Sequence, residues 1–422
     1  MRILMIAHFL PYPPVSGGRL RIASLLDWLV DSGYEVSFLL LQSYPFPREE
    51  FRQLRKRCKE VYVVELRSMG QRLRQNLGSW ARRFFSAFGW GRHYLWNRAL
   101  LKRMRTPRVL PIDVFCSNSA LKKVARIIQA MAEKPKAVFC EYLTTSRLLE
   151  LPELFGSLKI LDTLDAIHKR MAMIERGLDP WLACTPEEEA QYLRRADVVI
   201  AIQTEEARAF QKLVPDREVI TVGQPFTIKR VPQKTDALSC LLVGSIHEAN
   251  LEGLQWFQKC IWPLVLREIS AARLLIAGSM GEYACAEKSV QMLGAVENLD
   301  EVYRESALVA VPILSGSGLK IKLVEALSQG KAVVATEHAA LGIQQEGLFL
   351  LANDPAAFAD HIVTLLKNPA LRRQFESKAL AFAKENFQRE QVYSPLKAIL
   401  RRYEESLTRF PSSPVREEEF AP

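Results

Sequence analysis

Residues 308–336 read LVAVPILSGSGLKIKLVEALSQGKAVVAT. The apolar, β-branched run that ends at Pro312 is predicted to be a buried strand; the Gly-Ser-Gly turn breaks it, and a helix starts at Leu319 or Lys320. A second run, Ala332 to Thr336, supplies the next strand. Strand, glycine turn, helix, strand is the repeating unit of a parallel sheet covered by helices. The turn is also the best anion site in the sequence. Helix amino termini present unpaired N–H groups and partial positive charge, and glycines let a diphosphate approach the backbone. Lys320 and Lys322 add full charges, and Glu325, one turn further on, is placed to accept hydrogen bonds from a ribose. Taken alone, a G-x-G before a helix reads equally well as a tight structural turn.

The same alternation extends in both directions. Towards the amino terminus of this half, Cys240 to Ser245 is a strand running into Gly244, Leu251 to Leu266 a helix, Arg273 to Gly278 a strand with its glycine turn, and Val290 to Gly294 another strand. Val222-Gly223-Gln224-Pro225 is a cluster of breakers that suits a linker. Before it, Arg2 to Ala7 is a buried strand, the loop around Gly17 and Gly18 opens a helix with Ile22, Leu25, Leu26 and Leu29 on one face, and Glu35 to Leu41 is the next strand. Val61 to Leu66, Ala137 to Cys140, Leu158 to Leu161 and Val198 to Ile202 continue the series. The expected fold is α/β, with two doubly wound Rossmann-like domains facing a cleft lined by the carboxyl ends of their strands. Domains are expected at 1–225 and 226–384, with a helix at 385–407 and a disordered tail rich in Pro, Ser and Glu at 408–422.

Composition agrees with a folded protein of this size. At 422 residues the chain exceeds one ordinary core, and 49% apolar with 25% charged residues is a globular balance. The apolar start, Met1 to Leu10, meets His8 and then Pro11, Pro13 and Pro14, so it reads as a strand rather than a span or signal peptide. Seven scattered cysteines with no C-x-x-C pair read as reduced thiols, and neither a metal nor a cofactor is expected. Net charge is +10, much of it between Arg67 and Arg108, where arginines alternate with aromatic residues such as Trp80, Phe84, Trp90 and Trp96. Such a segment suits an anionic membrane surface, and it suits equally a pair of helices with buried rings and solvated arginines. No nucleic-acid module accompanies it. There is no G-x-S-x-G elbow, Walker loop, kinase set or G-x-G-x-x-G fingerprint, which excludes the corresponding hydrolases, nucleotide phosphotransferases and dehydrogenases.

In order and spacing, Pro13-Pro14-Val15-Ser16-Gly17-Gly18-Arg19, Val243-Gly244-Ser245, Asn250 with Trp256-Phe257, Gly294, Gly316-Ser317-Gly318 with Glu325-Ala326, and Gly330 with Val333 to Thr336 resemble the family-four GT-B glycosyltransferases. The resemblance covers nearly the whole chain. It implies a transferase that takes a sugar from a nucleotide-diphosphate sugar, generally with retention and without metal. The donor diphosphate would lie on Gly316, Ser317, Gly318 and Leu319, near Gly244 and Ser245, with the ribose on Glu325 and the nucleobase against the stretch from Gly294. The Gly17 and Gly18 loop would close over the donor from the first domain, and a last helix, Glu385 to Glu405, would cross back to that domain.

Three departures from the family pattern bear on the chemistry. The first glutamate of E-G-F-G-L is replaced by Ser317. The Arg and Lys that often follow the donor domain's first strand are absent from 245–250, leaving Lys320 or Lys322 to offset the diphosphate charge. A His-Asp pair at a first-domain strand end reads Leu164-Asp165 here, with His168 nearby, so Asp165 and His168 are the catalytic candidates on that side. Glu141 ends a strand and faces either the cleft or solvent; His8 and His247 are ligand contacts or ordinary loop histidines. The expected activity is sugar transfer to a lipid-linked, glycan or other acceptor in surface polysaccharide or glycolipid synthesis, by a cytoplasmic or peripheral membrane protein. A GT-B nucleotide-sugar epimerase and a scaffold protein with a degraded donor site are the alternatives.

Overall fold

The structure is a computed structural model that describes residues 1–14, 16–42, 48–66, 112–171, 182–231, 238–296, 298–316, 318–343 and 345–409. The basic aromatic segment 67–108, Ser317 and the tail beyond Arg409 lie outside the described residues.

In the first half the chain runs β1 (Arg2–Ala7), α1 (Gly17–Asp31), β2 (Glu35–Gln42), α2 (Arg48–Arg57), β3 (Glu60–Glu65), α3 (Asn118–Ala130), β4 (Ala137–Glu141), β5 (Leu158–Asp162), α4 (Pro186–Leu193), β6 (Val198–Ala201), α5 (Thr204–Leu213) and β7 (Glu218–Thr221). These strands form one parallel sheet in the order β3-β2-β1-β4-β5-β6-β7. Met5 of β1 is in register with Phe38 of β2 on one side and Phe139 of β4 on the other. Ile3 to Ala7 of β1 and Ala137 to Cys140 of β4 are apolar and buried because helices cover both faces of the sheet. Ile3, Met5 and Ala7 enter one core layer and Leu4 and Ile6 the other, following the two-residue repeat of a strand.

The second half runs β8 (Ser239–Val243), α6 (Glu248–Trp256), a π-helical turn (Phe257–Ile261), α7 (Trp262–Glu268), β9 (Arg273–Ala277), β10 (Val290–Gly294), α8 (Leu299–Glu305), β11 (Leu308–Val311), α9 (Ile321–Ser328), β12 (Val333–Ala335), β13 (Leu350–Leu351), α10 (Pro355–Lys367), α11 (Pro369–Asn386) and α12 (Arg389–Arg409). Its sheet is again parallel, in the order β10-β9-β8-β11-β12-β13. The helix expected at 251–266 spans 248–268 and carries a π turn, next to Pro263, which has no N–H to continue the ladder. β11 stops one residue short of Pro312 for the same lack of a donor.

The end of the chain joins the halves. Ala379, Ala383 and Phe387 pack in the second core, whereas Val392, Tyr393, Leu396, Ile399 and Leu400 of α12 pack with Leu25, Leu26 and Trp28 of α1 in the first. Trp28 and Tyr393 stack with ring centroids 4.7 Å apart. The 222–225 breakers are held firmly: the Gly223 carbonyl accepts from Arg21 at 2.6 Å, and buried Gln224 donates to Ser24 at 2.9 Å. Five of the seven cysteines are buried, and all are free thiols.

Candidate active site between the two sheets

In each sheet the strand order reverses at one place, between β1 and β4 in the first and between β8 and β11 in the second. Loops diverge at such a switch point and leave a crevice at the carboxyl ends of the strands. A cavity of about 720 Å³ lies there, walled by both domains. Gly17, Gly18, Arg21, Tyr142, Asp165 and Arg170 line it from the first domain, and Ser245, His247, Asn250, Gly316, Lys320 and Lys322 from the second.

Two helix amino termini meet across it. Ser16 caps α1 by accepting from the Arg19 N–H, and a Cβ on Gly17 would stand 2.8 Å from the Ile321 side chain at the start of α9. Glycine at 17 therefore allows the two positive helix ends to converge. On the second domain the turn is fixed from behind. Lys320 donates from Nζ to the carbonyls of Gly316 and Gly318, both at 3.1 Å, and His338 Nε2 lies 2.8 Å from the Gly316 carbonyl. The Gly318 N–H donates to Glu206 of α5 at 2.9 Å.

The cations of the cavity wall are not equivalent. Arg21, almost fully buried, clasps Asp162 through Nε and a terminal nitrogen at 2.8 and 3.1 Å. Arg170 pairs with Asp165 at 2.6 Å, and Arg19 with Glu50 at 2.7 Å. Lys320 lies near Glu206 and Asp165, and burial lowers its pKa to about 8. Lys322 makes no ion pair among the described residues; its ammonium donates to Asn250 Oδ1, and Asn250 in turn donates to the Ser245 carbonyl at 2.9 Å. Burial, with Lys320 adding to it, pulls Lys322 down to about 7. The pKa of His247, which precedes α6 and faces the open cavity, is also lowered, first by partial desolvation from the surrounding protein and then by the nearby cations Arg170 and Lys322.

Asp165, Lys320, Lys322, Gly17, Gly18, Ser245, Gly316, Gly318 and Leu319 thus come together at one cavity. His168 does not join them: its Nδ1 is turned to Glu189, a fully buried carboxylate that also accepts the Ile167 and His168 N–H groups at 2.9 and 3.0 Å. Gly244 lies behind the cavity wall, where a Cβ would meet the Met280 sulfur at 2.6 Å; it serves the packing of two strand ends. Gly294 and Glu325 also stand away from the cavity lining. Burial raises the Glu325 carboxyl to about 7, with the neighbouring Tyr303 hydroxyl working the other way.

Glu141 is buried rather than a surface acid. Neither of its carboxyl oxygens has a hydrogen-bond partner among the described residues, and burial beside Asp162 holds its pKa well above the usual range. His8 packs edge-on to Phe115, and burial lowers its pKa to about 4, so it is neutral. Two cavity residues, Tyr142 and Leu164, have left-handed backbones with φ of 72° and 63°. Strain of this kind collects at functional sites. Leu164 holds the position where the family that the sequence resembles often has a histidine, a residue type that tolerates this conformation better than leucine. Arg21, Tyr142 and Glu206 were not legible as site residues. Arg21 had one signal, its place one turn beyond Gly17 on the same helix face.

Among the described residues no group of three or more His, Cys, Asp or Glu side chains could hold a metal ion, and no helix is long and apolar enough to cross a membrane. Residues 237–368, which contain all six strands of the second sheet, match the family model described as Glycosyl transferases group 1. An uncharacterized 44.6 kDa protein in the cps region of Klebsiella pneumoniae is 24% identical over 421 residues, covering 94% of this chain and 98% of that protein. Sucrose-phosphate synthase from Thermosynechococcus elongatus has a similar fold, with a TM-score of 0.66 at 14% identity over 96% of this chain and 99% of that one. HepE from Anabaena, solved in complex with UDP and glucose, gives a TM-score of 0.60 at 13% identity over 95% of this chain and 100% of that one. Two facing parallel sheets with a cavity at both switch points, and a second half that matches a glycosyltransferase domain, make this chain a glycosyltransferase of the GT-B fold.

Proposed function

We propose that the enzyme transfers a sugar, with retention, from a nucleoside-diphosphate sugar to a glycan or lipid-linked acceptor during synthesis of a surface polysaccharide. The observation that carries the reading is the convergence of two helix amino termini and Lys322 on one interdomain cavity. A diphosphate leaving group gains negative charge in the transition state, and fixed dipoles with a cation placed there stabilise it without metal. Lys322 is the residue we assign to this charge. It reaches Asn250, within the stretch where the family often carries its cations, so the same place in the cleft receives a positive charge from a different helix.

Gly316, Ser317, Gly318 and Leu319 would carry the diphosphate, Glu325 the ribose and the Gly294 stretch the base. The acceptor would enter over Asp165, Arg170 and Tyr142. The relative in a cps region supports a polysaccharide role, and UDP in HepE supports a nucleoside diphosphate as the donor's leaving group. Contact with an anionic membrane surface is assigned to 67–108 on its sequence alone, and a cytoplasmic place on the scattered, unpaired cysteines, which suit a reducing compartment.

Calorimetric titration of the purified protein with UDP and GDP tests the donor site. Binding in the micromolar range is expected, weakened about tenfold or more in Lys322→Met and in Glu325→Ala, as loss of a hydrogen bond to a charged group implies. Undiminished binding in Lys322→Met would remove it from the leaving-group role, and no binding to either nucleotide would favour a scaffold protein. NMR of the anomeric product, once a donor sugar is identified, checks retention.

A further inference from the structure

The mechanism above leaves unused a carboxylate that lies between the domains. Glu206, in the first turn of α5, is fully buried, yet it belongs to the first domain and its Oε1 accepts the N–H of Gly318 in the second at 2.9 Å. The two residues are 112 apart in sequence. Its second oxygen is buried and has no hydrogen-bond partner among the described residues. The contact is closely fitted. Gly318 is left-handed, with φ of 78°, and a Cβ there would lie 3.2 Å from the Asp165 Cβ and 3.5 Å from the Leu164 carbonyl. Lys320, from the second domain, is drawn to the same carboxylate while its ammonium holds the carbonyls of Gly316 and Gly318. A second touch between the domains supports the same arrangement: a Cβ on Gly342 would stand 2.0 Å from Gln203 Oε1, three residues before Glu206.

Resting on the reading that the Gly316 to Gly318 turn receives the donor diphosphate, we propose that Glu206 is a positioning residue for that turn, holding it in place from the opposite domain. Burial costs the carboxylate, and its pKa rises to about 7, with Asp165 adding to the rise and the amides of Gly318 and Ala166 opposing it. An acid kept in such surroundings is retained for what it holds. The consequence is that the donor site is complete only when the domains are closed, since one of its supports comes from the acceptor side. Glu206 touches no ligand, and its effect runs through the turn.

The test compares the wild-type full chain with Glu206→Ala and Glu206→Gln. Hydrogen–deuterium exchange of the ligand-free proteins reads the turn directly: the peptide containing Gly318 is expected to exchange at least tenfold faster in the alanine variant and near the wild-type rate in the glutamine variant, whose side-chain oxygen accepts the same bond. Titration with UDP and GDP should show the same order, with about tenfold weaker binding for alanine and less than threefold for glutamine. If the alanine variant fails to fold, Glu206→Asp, one methylene too short to reach, takes its place against the glutamine variant. Unchanged exchange in the alanine variant, or tighter nucleotide binding, would overturn the proposal, the latter by showing that Glu206 competes with the ligand. Absence of nucleotide binding by the wild type would instead overturn the donor reading and with it the role, while the exchange experiment would still show whether Glu206 holds the turn.

Discussion

Arg21 shows what a single side chain has to satisfy in this molecule. It lies under the cavity with its guanidinium shared between Asp162 and the Gly223 carbonyl, and Glu141 stands close enough to shift its titration. A buried bidentate pair adds little beyond what apolar residues would give, but removing one partner leaves the other charged and dry. Arg21→Leu is therefore expected to cost about 3–5 kcal/mol in urea unfolding. A loss below about 1 kcal/mol would mean that Asp162 simply takes up a proton or water in its place.

At the scale of elements, the donor half depends on close approach of α6 to the end of β11. Gly253 of α6 has room for no side chain, because a Cβ would lie 2.0 Å from the Pro312 carbonyl oxygen. Both elements lead into the cavity, one through Asn250 and the other through Ile313 and Ser315. Gly253→Ala should displace α6, lower stability by about 1–3 kcal/mol or more by overpacking, and weaken UDP binding as Asn250 moves off Lys322. Thermal melts and titration on the same variant check both effects. A stable variant with unaltered binding would show that α6 shifts without moving the site.

Across the whole molecule, Lys322 couples stability to pH. Its folded pKa of about 7 is below the ordinary 10.5. Between these values the unfolded chain holds a proton that the folded one has released, so stability rises with pH across the window, and the cost of burying the charge is greatest below about pH 7. Lys322→Met should raise the melting temperature over wild type by more at pH 6.5 than at pH 9. A gap that does not narrow with pH would mean the ammonium is better solvated than its surroundings indicate. Nucleotide affinity should run the opposite way, falling in the wild type above about pH 7 as Lys322 discharges, and staying flatter in Lys322→Met. Stability given up for a charge in the right place is a common feature of active sites.

The alternation of strands and helices, the glycine turns and the placement of Lys322 in the first turn of the donor helix were readable from the chain, because each is a local pattern fixed by residues a few positions apart. The expected start at Leu319 or Lys320 was early, since the helix begins at Ile321 and Lys320 is its non-helical N-cap, turned back onto the carbonyls of Gly316 and Gly318. The resemblance that led to the site was readable too. The division of labour within it was not. Lys320 and Lys322 are alike in sequence, yet one ties down the carbonyls of its own turn and the other meets Asn250, 72 residues away. His168 is drawn off by Glu189, and Glu206 reaches Gly318 from the other domain. Which partner a charge finds depends on distances of a few ångströms between elements remote in the chain. Periodicity carries no record of those distances, and only the packed tertiary structure sets them.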